Sequence, residues 1–161
     1  IMIGKQDKIK HNDLEAVKNL FRKEGVKVTH QRLEIYREMM KAEDHPSAEE
    51  IYRRVRPRLP TVSLDTVYRT LDMFENLGII SRVEVLDDRA RFDPDREPHH
   101  HLVCTVCKRI MDFSWPEVDS LKPPIPTEKW GRVVSSHLEL RGICRDCLKT
   151  LSGKTGSVSS S

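Results

Sequence analysis

The sequence has no apolar run that approaches the roughly 20 residues of a membrane-spanning helix. Its first ten residues do not have the pattern of a secretory signal peptide. Hydrophobic residues make up only 37% of the 161 positions, against 33% charged residues, so there is little core to spare. These absences exclude a helical membrane protein. They predict a cytoplasmic chain that folds as one mid-sized domain or two small ones.

A strong excess of either charge is also lacking, since the net charge is only +3. That value alone is weak evidence for a nucleic-acid partner. The distribution is more informative, because one stretch contains five arginines and a single acid, Asp65. Such a cluster can be a plain solvated face, and it indicates DNA only where it flanks a recognition helix. Its basic residues are Arg53, Arg54, Arg56, Arg58 and Arg69.

Four segments before residue 78 place apolar residues at helical spacing, which predicts four helices. Thr29, Ser47 and Ser63 stand at the starts of the last three helices, where a side-chain oxygen can accept hydrogen bonds from unpaired backbone N–H groups. Ser47 and Glu50 also have the spacing of a capping box. Gly78 is a natural end for the fourth helix.

A β-hairpin is predicted after the fourth helix. Residues 79–85 alternate apolar and polar side chains, Asp87 and Asp88 suit a turn, and residues 90–92 return. Several short helices followed by a hairpin is the order of a winged helix-turn-helix. A small α+β domain of another kind is the alternative.

The composition changes after Phe92, where acids, prolines and histidines are crowded together. Residues 109–113 and 132–140 alternate as short strands would, and residues 152–161 are rich in serine and glycine, which predicts disorder. The predicted class is therefore α+β, with an N-terminal winged helix-turn-helix domain and a small α/β domain after it. The predicted boundaries are 1–91 for the first domain, 92–150 for the second and 151–161 for a disordered tail.

Two CxxC pairs are the strongest chemical signal in the chain. Two thiolates on one tight turn can reach one ion, and two such turns make a tetrahedral sulfur shell of the kind zinc prefers. A thioredoxin-type redox pair is the alternative, but one pair would suffice for it and neither pair follows a clear β-to-α unit. We predict a closed, structural zinc site at Cys104, Cys107, Cys144 and Cys147.

Three consecutive histidines precede the first CxxC pair. In a strand, His99 and His101 would point to one side and His100 to the other. Imidazoles combined with carboxylates are typical ligands of reversibly bound Fe(II), Mn(II) or Zn(II). Surface histidines without a metal remain the alternative at this point.

Residues 63–71 have the character of a recognition helix, whose N-terminal residues face the major groove. Thr66, Tyr68 and Arg69 offer a hydroxyl with a methyl group, an aromatic ring and a guanidinium that can bind a base in bidentate fashion. Tyr68 could equally be an aromatic residue at the edge of the core.

Taken together, the chain resembles the ferric uptake regulator family of bacterial metal-responsive repressors. The matching segments run in family order across roughly residues 13–148. They are 28–32 (VTHQR), 45–52 (HPSAEEIY), 66–69 (TVYR), 91–93 (RFD), 99–107 (HHHLVCTVC) and 138–144 (LELRGIC).

The resemblance implies a homodimer that binds a double-stranded DNA operator, with the second domain as the dimerisation domain. It also implies a regulatory metal, iron or manganese, with ligands at His45, Asp93, His99, His101 and Asp112. Lys27 would correspond to the family's minor-groove lysine, and Tyr68 and Arg69 to its recognition-helix contacts. The candidate DNA-binding residues are Lys27, Arg32, Ser63, Thr66, Tyr68 and Arg69.

Within the family, aspartate at positions 93 and 112 resembles the peroxide-sensing PerR branch, whereas iron-sensing members usually have glutamate there. In that branch, Fe(II) with peroxide oxidises ligand histidines, which would be His45 and His99 here. Arg69 resembles the iron-sensing branch instead. An iron- or zinc-uptake regulator is therefore the alternative.

Two departures from the family pattern concern the second domain. Pro123, Pro124 and Pro126 fall where the family runs a longer dimerisation helix, which proline would shorten or break. Pro98 and Ser136 replace two ligands of a third metal that some members bind, so no third site is predicted.

An enzyme is not expected. A metallohydrolase could use the histidine and aspartate cluster, but the chain has no HExxH helix. Glu97 lies on a proline-interrupted loop that would orient a general base poorly.

Overall fold

The computed structural model describes residues 13–83, 89–95, 97–123, 125–133 and 136–154. They divide into two compact units. The first contains residues 13–83 and 89–95, and the second contains the described residues from 97 onward.

The first unit contains four helices followed by a two-stranded antiparallel hairpin. Each helix is preceded by a polar residue whose side chain accepts hydrogen bonds from the first turn, and Ser47 with Glu50 completes the predicted capping box. The helices are α1 (Leu14–Lys23), α2 (His30–Met40), α3 (Ala48–Val55) and α4 (Leu64–Asn76), and the strands are β1 (Ser81–Val83) and β2 (Arg91–Asp93).

The core of this unit is built on the apolar faces that the sequence predicted. Phe74 of α4 stacks on Phe21 at a ring distance of 5.9 Å and meets Tyr36 edge-on at 6.1 Å. Val67 and Leu71, on the same face of α4, are fully buried. Burying each of these side chains contributes on the order of 1.5–3 kcal/mol. The packing fixes the rotation of α4 about its axis, so that Tyr68 and Arg69 lie on its exposed side.

The first strand of the hairpin begins later than predicted. Ile79 and Ile80 pack into the core, and β1 begins at Ser81. Residues 84–88, where the predicted turn falls, lie outside the described residues. Ser81 pairs with Asp93, which keeps residues 91–95 in the first unit although the predicted boundary was at residue 91. Four helices followed by a hairpin confirm the predicted winged helix.

The second unit is built on a three-stranded sheet of β3 (His100–Cys104), β4 (Ile110–Phe113) and β5 (Glu139–Gly142), in the order β4-β3-β5. β3 and β4 are antiparallel, whereas β3 and β5 are parallel, which requires a long connection between them. The described helices are α5 (Pro116–Asp119), a 3₁₀ turn (Thr127–Lys129) and α6 (Arg145–Lys154).

Helix α5 has only four residues and ends before Pro123, as expected from the prolines that follow it. A residue that precedes proline is disfavoured in the helical region, so the chain cannot easily continue the helix there. Pro124 lies outside the described residues.

Two other predictions for this unit need correction. Of the described residues in the predicted strand 132–140, only Glu139 and Leu140 are in a strand, which continues to Gly142 because it pairs with β3. The predicted disordered tail 151–161 begins as helix, since α6 continues to Lys154. The hydroxyls of Thr150 and Ser152 donate to carbonyl oxygens one turn earlier, which satisfies these polar groups within the helix. Residues 155–161 lie outside the described residues.

Among the described helices, none combines the length and the apolar composition needed to cross a bilayer.

Candidate metal and DNA-binding sites

The four cysteines form one cluster in the second unit, with all four sulfur atoms within 4.8 Å of one another. Cys104 ends β3, and Cys144 lies between the end of β5 and the start of α6. Because β3 and β5 are parallel, with Cys104 opposite Gly142, the two CxxC turns leave the sheet at the same edge. The backbone N–H groups of Cys107 and Cys144 both donate to the Cys104 sulfur, at 3.5 and 3.3 Å.

Without a cation, the thiols of the cluster differ widely in pKa. N–H donation from Cys144, and then from Cys107, lowers the pKa of Cys104 to about 6. The hydrogen bond to the Cys144 sulfur raises the pKa of Cys147 to about 12. One thiol therefore ionises readily, whereas another strongly resists ionisation because its proton is held by a neighbouring sulfur. Four sulfur donors that need a nearby cation to ionise together fit a zinc ion.

The first unit holds a buried histidine–aspartate pair. His45 Nε2 lies 3.5 Å from Asp93 Oδ2, and the two side chains are only 3% and 1% exposed. The backbone of His45 is left-handed, with φ of 49°. That conformation costs a non-glycine residue roughly 1–2 kcal/mol, so the surrounding contacts must hold it in place.

Those contacts join the loop before α3 to β2. The Phe92 N–H donates to the Pro46 carbonyl at 3.1 Å. The Arg91 guanidinium donates to Glu50 Oε2 at 2.7 Å, and the Ser47 N–H donates to the same oxygen at 2.7 Å. His45 and Asp93 are the immediate chain neighbours of Pro46 and Phe92, which accounts for their close approach.

The second unit holds two imidazoles and a carboxylate that face one another. His99 Nε2 and His101 Nε2 are 3.0 Å apart, and they lie 3.8 and 3.5 Å from Asp112 Oδ1. Asp112 is placed there by strand pairing, because it lies directly opposite His101 on β4. Imidazole and carboxylate donors suit Fe(II), Mn(II) or Zn(II).

His100 points away from this group, as the alternation of a strand predicts. Its Nδ1 accepts a hydrogen bond from the Leu138 N–H at 3.1 Å, and its Nε2 lies 3.3 Å from Asp119 Oδ1. His100 is 1% exposed and packs against Phe113. It therefore ties β3 to α5 and to the segment before β5.

The candidate DNA-reading residues lie around the start of α4. Ser63 is the N-cap, and its hydroxyl also lies 2.8 Å from that of Thr66, so both serve the helix start. Arg69 is 80% exposed and pairs with Asp65 at 2.8 Å. The Tyr68 hydroxyl donates to Glu49 Oε1 at 2.8 Å, a contact that the sequence analysis missed because the residues are far apart in the chain.

The other two candidates flank the start of α2. The Arg32 guanidinium donates to the Lys27 carbonyl oxygen, which ties the loop to the helix, and the Lys27 side chain is exposed.

The arginine cluster is less uniformly basic than its sequence indicated. Arg54 pairs with Asp44, and Arg58 pairs with Glu34 and Glu38. These acids come from the helix and loop before the cluster, so the sequence window that defined it did not include them. Arg53, Arg56 and Arg69 are exposed.

The helix order and the hairpin define a winged-helix class of protein, and the second unit adds a sulfur cluster suited to zinc. The chain matches the family model described as "Ferric uptake regulator family" over residues 23–141. The peroxide-responsive repressor PerR of Staphylococcus epidermidis is 32% identical over 146 residues, which are 91% of this chain and 97% of that protein. The chain therefore belongs to the ferric uptake regulator family, as predicted.

Solved structures agree with this assignment. The Helicobacter pylori ferric uptake regulator Fur, described as having three functional metal binding sites, matches with a TM-score of 0.72 and 26% identity. The match covers 84% of this chain and 91% of that one. A zinc-bound manganese uptake regulator matches with a TM-score of 0.61 and 36% identity, covering 80% and 98% of the two chains. This chain is a metal-responsive regulator of that family.

Proposed function

We propose that this regulator is a repressor that binds an inverted-repeat operator as a homodimer and senses peroxide through oxidation of metal-ligating histidines. The observation that carries the proposal is the set of donors that the fold assembles, two imidazole–carboxylate groups with aspartate as the carboxylate in both, of which the His45–Asp93 pair is fully buried. The similarity to peroxide-responsive repressors supports it. Such a repressor acts in the cytoplasm, where the bacterial chromosome lies, and we assign it no catalytic residues.

We further propose that His45 and Asp93 of the first unit bind the same ion as His99, His101 and Asp112 of the second. Asp93 and His99 are six positions apart in the chain. The segment between them therefore spans at most about 20 Å, short enough for both to reach one ion. The zinc ion proposed for the four cysteines is a separate, structural one.

This arrangement provides the switch. His45 lies directly before α3, within the DNA-binding unit, so a shared ion would restrict the angle between the units. In a dimer that angle sets the distance between the two recognition helices. Binding of the ion favours the DNA-competent form only to the extent that the ion binds that form more tightly. Losing one imidazole ligand should therefore release the DNA.

Bound Fe(II) would supply the reduction of peroxide that makes a nearby imidazole the target of oxidation, whereas Mn(II) would not. His45 and His99 are the proposed targets. In the net change, one oxygen atom of peroxide is added to the imidazole and the other leaves as water. The modified ring is a poorer ligand.

The test uses protein loaded separately with Fe(II) and Mn(II), and an operator selected from a random duplex library. After sub-millimolar peroxide, operator binding and the masses of tryptic peptides are measured. We expect the peptide that contains His45 or His99 to gain one oxygen atom, only with iron and in step with the loss of DNA binding. Oxidation confined to the cysteines would instead indicate a thiol-based sensor.

A metal-uptake regulator is the second candidate. The 36% identity to a manganese uptake regulator favours it, and Arg69 resembles the iron-sensing branch. Unmodified histidines, with DNA binding that persists in peroxide and follows metal concentration alone, would support this candidate against the first.

A further inference from the structure

We infer that Glu49 is a positioning residue for DNA reading, which orients Tyr68 so that its hydroxyl faces the bases as a hydrogen-bond acceptor only. The inference rests on the proposed function, since it takes the exposed side of α4 as the recognition surface.

The geometry joins the two helices of the helix-turn-helix. Glu49 lies in the first turn of α3 and Tyr68 in the second turn of α4, and the Tyr68 hydroxyl donates to Glu49 Oε1 at 2.8 Å. Tyr68 is 38% exposed, so part of the ring remains available to a partner. A carboxylate near the N-terminus of a helix is also favoured by the helix dipole.

Glu49 is ionised at neutral pH. Burial raises the pKa of its carboxyl, but hydrogen bonds from its own backbone N–H, from Tyr68 and from Ser47, together with the charge of Arg89, outweigh burial and lower it. The hydrogen bond to Glu49 also raises the pKa of Tyr68, which therefore keeps its proton.

This pairing fixes what Tyr68 can recognise. An ionised carboxylate only accepts hydrogen bonds, and a phenol has a single proton to donate. That proton is committed to Glu49, so only the oxygen lone pairs of Tyr68 remain. In the major groove they can accept from the amino groups of adenine or cytosine, while the ring can contact a thymine methyl group.

Glu49 should influence specificity and overall affinity in opposite directions. Holding the ring in one orientation before binding lowers the entropy lost in the complex, and this benefit exists only on the correct sequence. The negative charge, by contrast, repels phosphates on any sequence. Removing the carboxylate should therefore weaken discrimination while it strengthens binding to unrelated DNA.

The experiment measures binding of the full chain, loaded with Mn(II), to a selected operator and to a scrambled duplex of the same composition. The variants are Glu49→Ala, Glu49→Gln, Tyr68→Phe and the double variant Glu49→Ala with Tyr68→Phe. Glu43→Ala removes an exposed acid from the loop before α3, and so serves as a matched control for charge. Arg69→Ala tests the recognition surface independently of Glu49.

We expect Glu49→Ala to lower the ratio of operator to scrambled affinity by about two- to tenfold, the usual effect of having to immobilise one more side chain on binding, and to raise scrambled affinity. Glu49→Gln should restore most of the ratio, because an amide oxygen still accepts from the hydroxyl. In the Tyr68→Phe background, Glu49→Ala should change the ratio no further. In the free protein, the Cζ chemical shift of Tyr68 should move in Glu49→Ala and not in Glu43→Ala.

Other outcomes overturn the inference in distinguishable ways. If Glu49→Ala lowers the ratio equally in both backgrounds, Glu49 acts by a route other than Tyr68, including through folding. If Glu49→Ala leaves the ratio unchanged while Arg69→Ala lowers it, the inference fails and the proposed recognition surface stands. If neither Tyr68→Phe nor Arg69→Ala alters the ratio, the proposed recognition surface itself is wrong.

Discussion

Replacing Cys144 by serine removes one of the four sulfur donors that hold the second unit together. Among the described residues of that unit, the buried apolar side chains are Val103, Cys104 and Ile110. Val103 and Ile110 contribute together on the order of 3–6 kcal/mol, and Cys104 is itself one of the proposed zinc ligands. A structural zinc site contributes about 10–16 kcal/mol by itself at neutral pH. The metal is therefore expected to be the larger source of stability, and the second unit should not fold without it.

The first unit should behave differently, because its core cluster contains only residues of that unit. We therefore expect Cys144→Ser to lose zinc and the dimer, while α1 to α4 keep their hydrogen-exchange protection. Zinc content, sedimentation and exchange mass spectrometry measure these three quantities. Val106→Ser places the same residue type at an exposed position within the first CxxC turn, and should retain zinc and dimer. A zinc-free Cys144→Ser protein that stays folded and dimeric would refute the reasoning.

Three further predictions concern the first unit. Arg69→Ala should cost roughly 1–3 kcal/mol of operator binding and relax the preference at one base position. Lys27→Ala should weaken binding to all sequences and lower the slope of log affinity against log salt concentration by about one unit. Titrations at several salt concentrations separate the two effects, and unchanged binding in both variants would contradict the assigned surface. Ser47→Ala removes the side-chain acceptor of the capping box and should lower the free energy of unfolding by about 1 kcal/mol. Urea denaturation measures this change, and an unchanged free energy of unfolding would show that the cap does not stabilise the unit. Phe74→Ala should lower the free energy of unfolding by about 3–5 kcal/mol because of the cavity it leaves, and Phe74→Leu should lower it less; equal losses would show that the cavity is not the cause.

Local features of the first unit could be predicted from the sequence because each depends on residues close together in the chain. The caps at Thr29, Ser47 and Ser63, and the buried face of α4, follow from short-range spacing. The start of β1 at Ser81 could not be predicted in this way, because Ile79 and Ile80 suit both a strand and a buried approach to one. Tertiary packing decided between them.

Contacts between residues far apart in the chain could be predicted less well from the sequence. The CxxC pattern indicated which residues gather, but not that parallel pairing of β3 with β5 brings the two turns to one edge. The pairing of Tyr68 with Glu49 has no sequence signature, because it depends on the angle at which α3 and α4 pack. The pairing of Arg58 with two acids of α2 has no sequence signature either, because it depends on how the end of α3 packs against α2.

Glu50 Oε2 accepts hydrogen bonds from both the Ser47 N–H and the Arg91 guanidinium, and this shared contact has a mechanical consequence. It fastens the first turn of α3 to β2, so the helix-turn-helix and the hairpin cannot move independently without breaking a charge-assisted bond. The DNA-binding unit should therefore meet each operator half-site as a rigid block of fixed shape. A signal that changes operator affinity would then have to alter how far apart two such blocks are held, and not the shape of either one.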